Sequence, residues 1–220
     1  MPDNEMAHYH PTEDMLADYA TGAQGTALSL LVACHLTYCP QCRERAGFFD
    51  MVGGLLLDSV PCPAAAPPIR PASTDAGHIA TVPAPAERSV ADDLILPRPL
   101  RRRTGCAAAD LPWRRLIPGV FEAPLELNSP GAEAKLMRIC PGRSLPRHTH
   151  EGAGATLVLA GAFSDATGRY RRGDVALADG TVDHRPLADR GEDCICLAVT
   201  DVPVRLTVPP GRIVPLFRQT

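Results

Sequence analysis

Lysine is almost absent from this chain: Lys135 stands alone among 22 basic residues, the rest being arginine. That bias fits GC-rich coding and carries no functional meaning. Two other absences say more. No run of 18 apolar residues occurs, so no segment is long enough to cross a bilayer as a helix, and no membrane partner is expected. The acidic N-terminus lacks the charged-then-apolar pattern of a secretion signal, which makes a cytoplasmic location the expectation. Nor is there an excess of positive charge. With a net charge of −3 the sequence offers no global footprint for nucleic acid, and direct DNA or RNA contact is not expected. A protein or a small molecule is the better partner class. Eight cysteines in 220 residues read as reduced thiols plus a metal site rather than as a disulfide framework.

The most informative stretch is His35-Leu36-Thr37-Tyr38-Cys39-Pro40-Gln41-Cys42. Its H-x3-C-x2-C spacing sets three nitrogen and sulfur donors within two helical turns. Leu28, Leu31, Val32, His35 and Leu36 recur with helical period, which predicts His35 on the last turn of an amphipathic helix. Cys39-Pro40 ends that helix and begins another, with Pro40 at its first position and Cys42 on its first turn. Ala46, Phe49, Val52 and Leu56 continue the apolar stripe. Both cysteines then face back toward His35.

Structural zinc takes four donors in a tetrahedron, so one more must come from elsewhere. His10 and His8 are the candidates. They precede a short helix with Thr12 as N-cap, Glu13 and Asp14 in its first turn and Gly22 past its end. Cys34 is a third possibility, although on a helix it points about 100° away from His35. Roughly 60 residues bury little apolar surface, and a structural zinc contributes on the order of 10–16 kcal/mol in apparent terms. A redox dithiol of Cys39 and Cys42 is an alternative, but that motif ordinarily follows a strand rather than a helix. A plain pair of buried thiols is the other.

Residues 61–87 contain seven prolines and eight alanines with neither helical nor strand period. Such a segment reads as an extended, semi-rigid linker that separates two modules and lets them move. Cys62 and His78 fall inside it as incidental residues. Arg98 and Arg101 to Arg103 read as its solvated end. The expected organisation is a helical domain over 1–60, a linker over 61–110 and a second domain over 111–220.

From Leu111 the texture changes to short strands broken by Gly, Pro and Asp. Residues 135–140, 156–161, 174–178 and 194–199 have strand length and regular spacing, which predicts an all-β sandwich or barrel. The run from Cys194 to Val199 is apolar on both faces, so it belongs in a central, fully covered strand, with Cys194 and Cys196 as core residues. A second cluster of donors lies here: His148 and His150, which share a face of an extended strand, and His184. Three imidazoles suit Zn, Fe, Ni or Cu, so a second divalent metal is a candidate for this domain.

The spacing Gly142-x5-His148-x-His150 with Gly161, followed by His184, resembles the two cupin motifs. Gly154 stands where the cupin glutamate ligand is expected. Glu151 alternates to the wrong face of the strand to replace it. The whole sequence resembles the ChrR family of zinc-binding anti-sigma factors, on His10, His35-x3-Cys39-x2-Cys42, Arg43-x-Arg45-Ala46-Gly47, Asp174, His184 and Arg190-Gly191-x-Asp193-Cys194-Ile195-Cys196-Leu197-Ala198. The resemblance implies an α + β two-domain fold: a small zinc-stapled helical domain and an all-β cupin-like, double-stranded β-helix domain. It implies zinc on His10, His35, Cys39 and Cys42, and cupin ligands at His148, His150 and His184. It further implies that the helical domain sequesters an extracytoplasmic function (group IV) sigma factor. The cupin-like domain would sense oxidative stress, singlet oxygen included. Leu28, Leu31, Phe48, Phe49, Leu55 and Leu56 are candidate partner contacts in a helix-in-groove mode. The competing class is a metal-dependent cupin enzyme of the dioxygenase or isomerase type, which the missing carboxylate weakens.

Overall fold

The computed structural model describes residues 7–61, 93–127, 132–149, 152–181, 183–200, 205–208 and 212–215. Three helices come first. α1 (Glu13–Thr21) is capped by Thr12, whose hydroxyl accepts from the Met15 amide, and stops at Gly22, which takes the left-handed conformation at φ 72°. α2 (Thr26–Tyr38) carries His35 in its last turn. α3 (Pro40–Ser59) has Pro at its start, and Cys39 caps it by accepting from the Cys42 amide. The turn between α2 and α3 is one residue long, so His35, Cys39 and Cys42 are forced into proximity as the spacing predicts.

The remainder is β. Six strands form one antiparallel sheet in the order β1-β2-β3-β11-β5-β8: β1 (Arg114–Ile117), β2 (Val120–Leu125), β3 (Glu133–Ile139), β11 (Cys194–Thr200), β5 (Gly154–Ala160) and β8 (Val175–Ala178). Opposite it lie a three-stranded sheet of β10 (Leu187–Ala188), β6 (Ala162–Ser164) and β7 (Arg169–Arg171), and a four-stranded one of β13 (Arg212–Pro215), β12 (Arg205–Val208), β4 (His148–Thr149) and β9 (Asp183–His184).

Strand alternation divides the large sheet between two cores. Leu136, Leu157, Leu159, Val175, Ile195, Leu197 and Val199 point to one side, where they join Ala27, Leu31 and Cys34 of α2 in a single cluster. Met137, Ile139, Val158, Cys194 and Cys196 point to the other, into the barrel with Phe163 and Tyr170. This explains why Cys194 to Val199 is apolar throughout: helices cover one face and barrel strands the other. The two cysteines are core thiols as expected. Cys194 is pushed far above the usual thiol range by its hydrogen bond to Cys196 and by burial.

Two expectations are corrected. The segment assigned to a linker is folded from Asp93 onward, with α4 (Arg98–Thr104) inserting fully buried Leu100, and Leu96 beside it, into the α2-facing cluster. The arginines of α4 are therefore the outer face of a docked helix rather than the end of a solvated chain. And the helical region, though distinct from the barrel, is not held off it by a spacer: α2 rests directly on the sheet, because that sheet's outer face is too apolar to leave in water. Cys62, His78 and residues 62–92 generally lie outside the described residues. No helix among the described residues is long and apolar enough to cross a membrane.

Candidate metal centre and barrel pocket

His10, His35, Cys39 and Cys42 converge so that one ligand atom from each lies within 4.8 Å of the others. His10 Nδ1 is 3.5 Å from Cys39 Sγ and 3.4 Å from Cys42 Sγ. In a tetrahedral zinc site a nitrogen and a sulfur ligand are separated by about 3.6 Å, so these spacings fit. The decisive atom is His35 Nε2. Its ring is fully buried, and its Nδ1 donates to the Gly173 carbonyl at 2.8 Å, which assigns the proton to Nδ1 and the lone pair to Nε2. Nε2 itself is buried with no hydrogen-bond partner. A buried acceptor without a partner costs about 1–3 kcal/mol, and an ion among these four donors removes that cost.

Burial also suppresses the charged forms. It pulls His35 down to about 4, favouring the neutral imidazole that binds metal. It pushes the Cys42 thiol up to about 12, with Cys39 adding to the effect. A cation reverses the second effect, since metal-bound cysteine is a thiolate. The four residues thus fit a structural ion. Of the other candidates, the His8 ring is exposed and only its backbone is used, while Cys34 is buried in the sheet-facing cluster with its thiol pushed up to about 12 by burial.

What selects His10 over His8 comes from the barrel. Asp174 is 1% exposed, and its Oδ1 accepts from the amides of His8 at 2.6 Å and Tyr9 at 3.1 Å, while its Oδ2 accepts from Arg171 N at 2.8 Å. The Val175 amide donates back to the Tyr9 carbonyl at 3.0 Å. Residues 8 and 9 are pinned to the turn before β8, which delivers the next side chain, His10, to the two sulfurs. The adjacent carbonyl, that of Gly173, orients His35. In the sequence Asp174 stands out as the start of a strand run and through the family resemblance, neither of which reveals this role. Asp174→Ala is expected to weaken metal affinity by about 10–100-fold, the usual effect of losing an outer-shell partner, in a chelator competition on the full chain.

In the barrel, His148 on β4 pairs directly with His184 on β9. His184 Nδ1 contacts Asp165 Oδ2 at 2.7 Å, and His148 Nδ1 donates to the Pro146 carbonyl at 2.9 Å. With both Nδ1 atoms so engaged, the two Nε2 atoms meet at 3.0 Å. Two lone pairs cannot face each other at that distance without a proton or a metal ion between them. Burial pulls His148 down, which disfavours the proton. Asp165 is pushed up by burial, but hydrogen bonds from Thr167 and His184 outweigh this and hold its carboxyl below the usual range. His150, the third expected imidazole, lies outside the described residues. Asp165 was not foreseen; the Asp-x-Thr-Gly turn carrying it was the available signal.

These histidines line a cavity of about 70 Å³ inside the barrel, shared with Lys135 and Gly154. Lys135 is 6% exposed, and burial pulls its amine down to about 8 while Glu122 and Glu133 pull it up. A depression of that size corresponds to ~3 kcal/mol that the charged amine costs the fold. The cost is present in full below about pH 8, where folded and unfolded amines are both charged, and it disappears as pH rises to the unfolded value near 10.5. Lys135→Met is accordingly expected to stabilise the chain by about 1–3 kcal/mol at neutral pH, with the gain shrinking between pH 8 and 10.5 in denaturant titrations.

The fold and site together define a helical region with a four-donor cluster that could hold a metal, joined to a cupin-like barrel. A family model described as the ChrR cupin-like domain matches residues 101–203. The chain is 39% identical to the anti-sigma-E factor ChrR of Cereibacter sphaeroides over 96% of its own length and 98% of that protein. It also matches the crystal structure of Rhodobacter sphaeroides SigE in complex with the anti-sigma ChrR, at 40% identity and a TM-score of 0.74, covering 89% of this chain and 100% of that one. A cupin protein of the RmlC-like type from Ralstonia eutropha aligns with 50% of the chain and 76% of its own at 20% identity and a TM-score of 0.41. The chain belongs to the ChrR family of anti-sigma factors. That membership sets aside the cupin-enzyme alternative, because the relative is a regulator.

Proposed function

We propose that this chain is a cytoplasmic anti-sigma factor that holds zinc on His10, His35, Cys39 and Cys42. Through its helical region it sequesters an extracytoplasmic function sigma factor. The observation that carries the reading is the face of α3. Phe48, Met51, Val52, Leu55, Leu56, Leu57 and Val60 are all exposed, several by more than 60% of their surface. The first five recur with helical period. A monomer leaves so large an apolar stripe in water only where something covers it, and a helix-in-groove partner matches its shape. The relative of known structure was crystallised with SigE, which supplies the partner class.

Not every contact named from sequence is available. Leu31 is fully buried against the sheet, Leu28 packs beside it, and Phe49 packs in the small helical core. Phe48, Leu55 and Leu56 remain.

The functional units in this reading are the helical region, 1–60, and the barrel, 111–220. The barrel is the sensor, and the resemblance supplies oxidative stress, singlet oxygen included, as the signal. What supports a sensing role physically is the route from the barrel to the metal. Strand β8 lines the barrel cavity through Ala176 to Ala178, and the turn before it holds His35 and the segment leading to His10. A second divalent metal on His148, His184 and His150 is part of the proposal; it fits the facing Nε2 atoms. An ion there would fix β4 against β9. The test is a response assay in which His148→Ala and His184→Ala leave sequestration intact and abolish release by oxidant; release at the normal level would remove the barrel from the signal path.

A further inference from the structure

The cavity that His148 and His184 line holds one carboxylate among its described residues, Asp165, on the turn after β6. Its side chain is 1% exposed. The Asp-x-Thr-Gly turn engages one of its oxygens fully: Oδ1 accepts from Thr167 N at 2.8 Å, from Thr167 Oγ1 at 2.5 Å and from Gly168 N at 3.3 Å. Thr167 Oγ1 also meets the Tyr170 hydroxyl at 2.9 Å, which ties the turn to β7. The other oxygen is thereby aimed. Oδ2 stands 2.7 Å from His184 Nδ1.

An ionised carboxylate can only accept, so His184 carries a proton on Nδ1 and turns Nε2 toward His148 as a lone pair. For the two histidines alone the opposite tautomer is better. Their Nε2 atoms are 3.0 Å apart, and a proton on that of His184 would make a hydrogen bond to His148. Asp165 opposes that bond. Its place in the cavity gives this a purpose: with glycine at 154, none of the described lining residues offers a carboxylate directly to an ion between the imidazoles, and an ion held by neutral rings keeps its full charge in a buried site. A carboxylate bonded to the far nitrogen of a ligand histidine supplies negative charge through the ring and raises the ring's donor strength.

We propose that Asp165 is the positioning residue of the barrel site: it fixes His184 in the Nδ1–H form, which keeps the two Nε2 atoms open to a divalent ion and stops the histidines from closing on each other. The inference rests on the reading that the barrel holds a second metal, and it adds the residue that makes His148 and His184 competent for one. Asp165 acts through His184 and needs no contact with the ion. Asp165→Asn is informative because the turn dictates how the amide sits. The backbone amides of Thr167 and Gly168 require an acceptor, so the side-chain oxygen takes the Oδ1 place and the NH2 group faces His184. His184 Nδ1 then becomes the acceptor, the proton resides on Nε2, and Nε2–H donates to His148. The variant exchanges an ion site for a hydrogen bond with almost no change of shape.

The test uses the full chain, with zinc as the probe. The parent is expected to take a second equivalent beyond the one held by Cys39 and Cys42. In chelator competition Asp165→Asn should weaken the second by about 10–100-fold, the usual effect of losing an outer-shell partner, and leave the first unchanged. The ring proton is the readout that a merely structural role would not move. In nitrogen-15 NMR of the chain holding one equivalent, at about pH 8 where free imidazole is neutral, His184 Nδ1 should carry a proton in the parent and none in Asp165→Asn, with the melting temperature unchanged. The parent spectrum stands as a test by itself should the variant fail to fold. A bare Nδ1 on His184 in the parent, or equal affinity for the second equivalent in parent and variant, overturns the proposal. A parent that takes one equivalent only, with His184 Nδ1 protonated, removes the second-metal reading and leaves Asp165 as the residue that sets the ring.

Discussion

A chain carrying Cys39→Ser and Cys42→Ser together is expected to purify with less than about a tenth of an equivalent of zinc and to capture no sigma factor. The reason lies in how little else holds the helices. The buried core shared by α1, α2 and α3 comprises Ala7, Leu16, Val32, Cys39 and Cys42, with Met15, Tyr19, Leu36 and Phe49 packed against it, so two of its five buried members are the proposed ligands. A metal site of this type contributes on the order of 10–16 kcal/mol in apparent terms, more than such a core can replace. The effect should also be uneven along the chain. α2 keeps its second attachment through Ala27, Leu31 and Cys34 to the sheet, whereas among the described residues α1 and α3 join no buried cluster but the one that holds Cys39 and Cys42. Amide hydrogen exchange should therefore rise over 13–21 and 40–59 and stay slow over 26–38. Uniform protection in the double variant would show that the metal is dispensable for the helical fold.

The second large effect is on association alone. Leu55 and Leu56 are 65% and 64% exposed, so replacing both with aspartate removes no core contact and should change stability by no more than about 0.5 kcal/mol. Burying two carboxylates in an apolar groove is far costlier. Affinity for the sigma factor is expected to fall by about 100-fold or more, which corresponds to at least ~2.7 kcal/mol. Calorimetry or biolayer measurements on the zinc-loaded variant would read this directly. Unchanged affinity would move the interface off α3.

The proposed zinc ligands are legible wherever they follow from local structure. His35, Cys39 and Cys42 sit within two turns, and Pro40 marks the break between helices, so periodicity and capping alone orient them. The fourth ligand was not legible in that way. His8 and His10 have equal standing in the sequence, and the choice is made by Asp174, some 165 residues away, holding the His8 and Tyr9 amides. No local pattern encodes such a contact. The resemblance named His10; the geometry supplies the reason.

The docking of helices on the barrel was half visible. An apolar run on both faces of Cys194 to Val199 requires two covers, and the barrel interior provides one. The second was hidden because α4 opens on Pro97-Arg98-Pro99 and three successive arginines, a composition that reads as solvated. Leu96 and Leu100, four residues apart, were the overlooked sign of a buried face. In the barrel, the absence of the glutamate at Gly154 is plain in the sequence, but the surroundings of that position are not. Lys135 and Thr200 come beside Gly154 only through strand pairing across β3, β11 and β5.

In the proposed function the zinc-loaded helical region sequesters a sigma factor. Its most direct test is co-expression of the full chain with each extracytoplasmic function sigma factor of its own host, followed by gel filtration, zinc analysis and challenge with core RNA polymerase. An equimolar complex with one of them is expected, carrying zinc and withholding that sigma factor from the polymerase. A folded, zinc-loaded chain that elutes alone beside every one of them would contradict it.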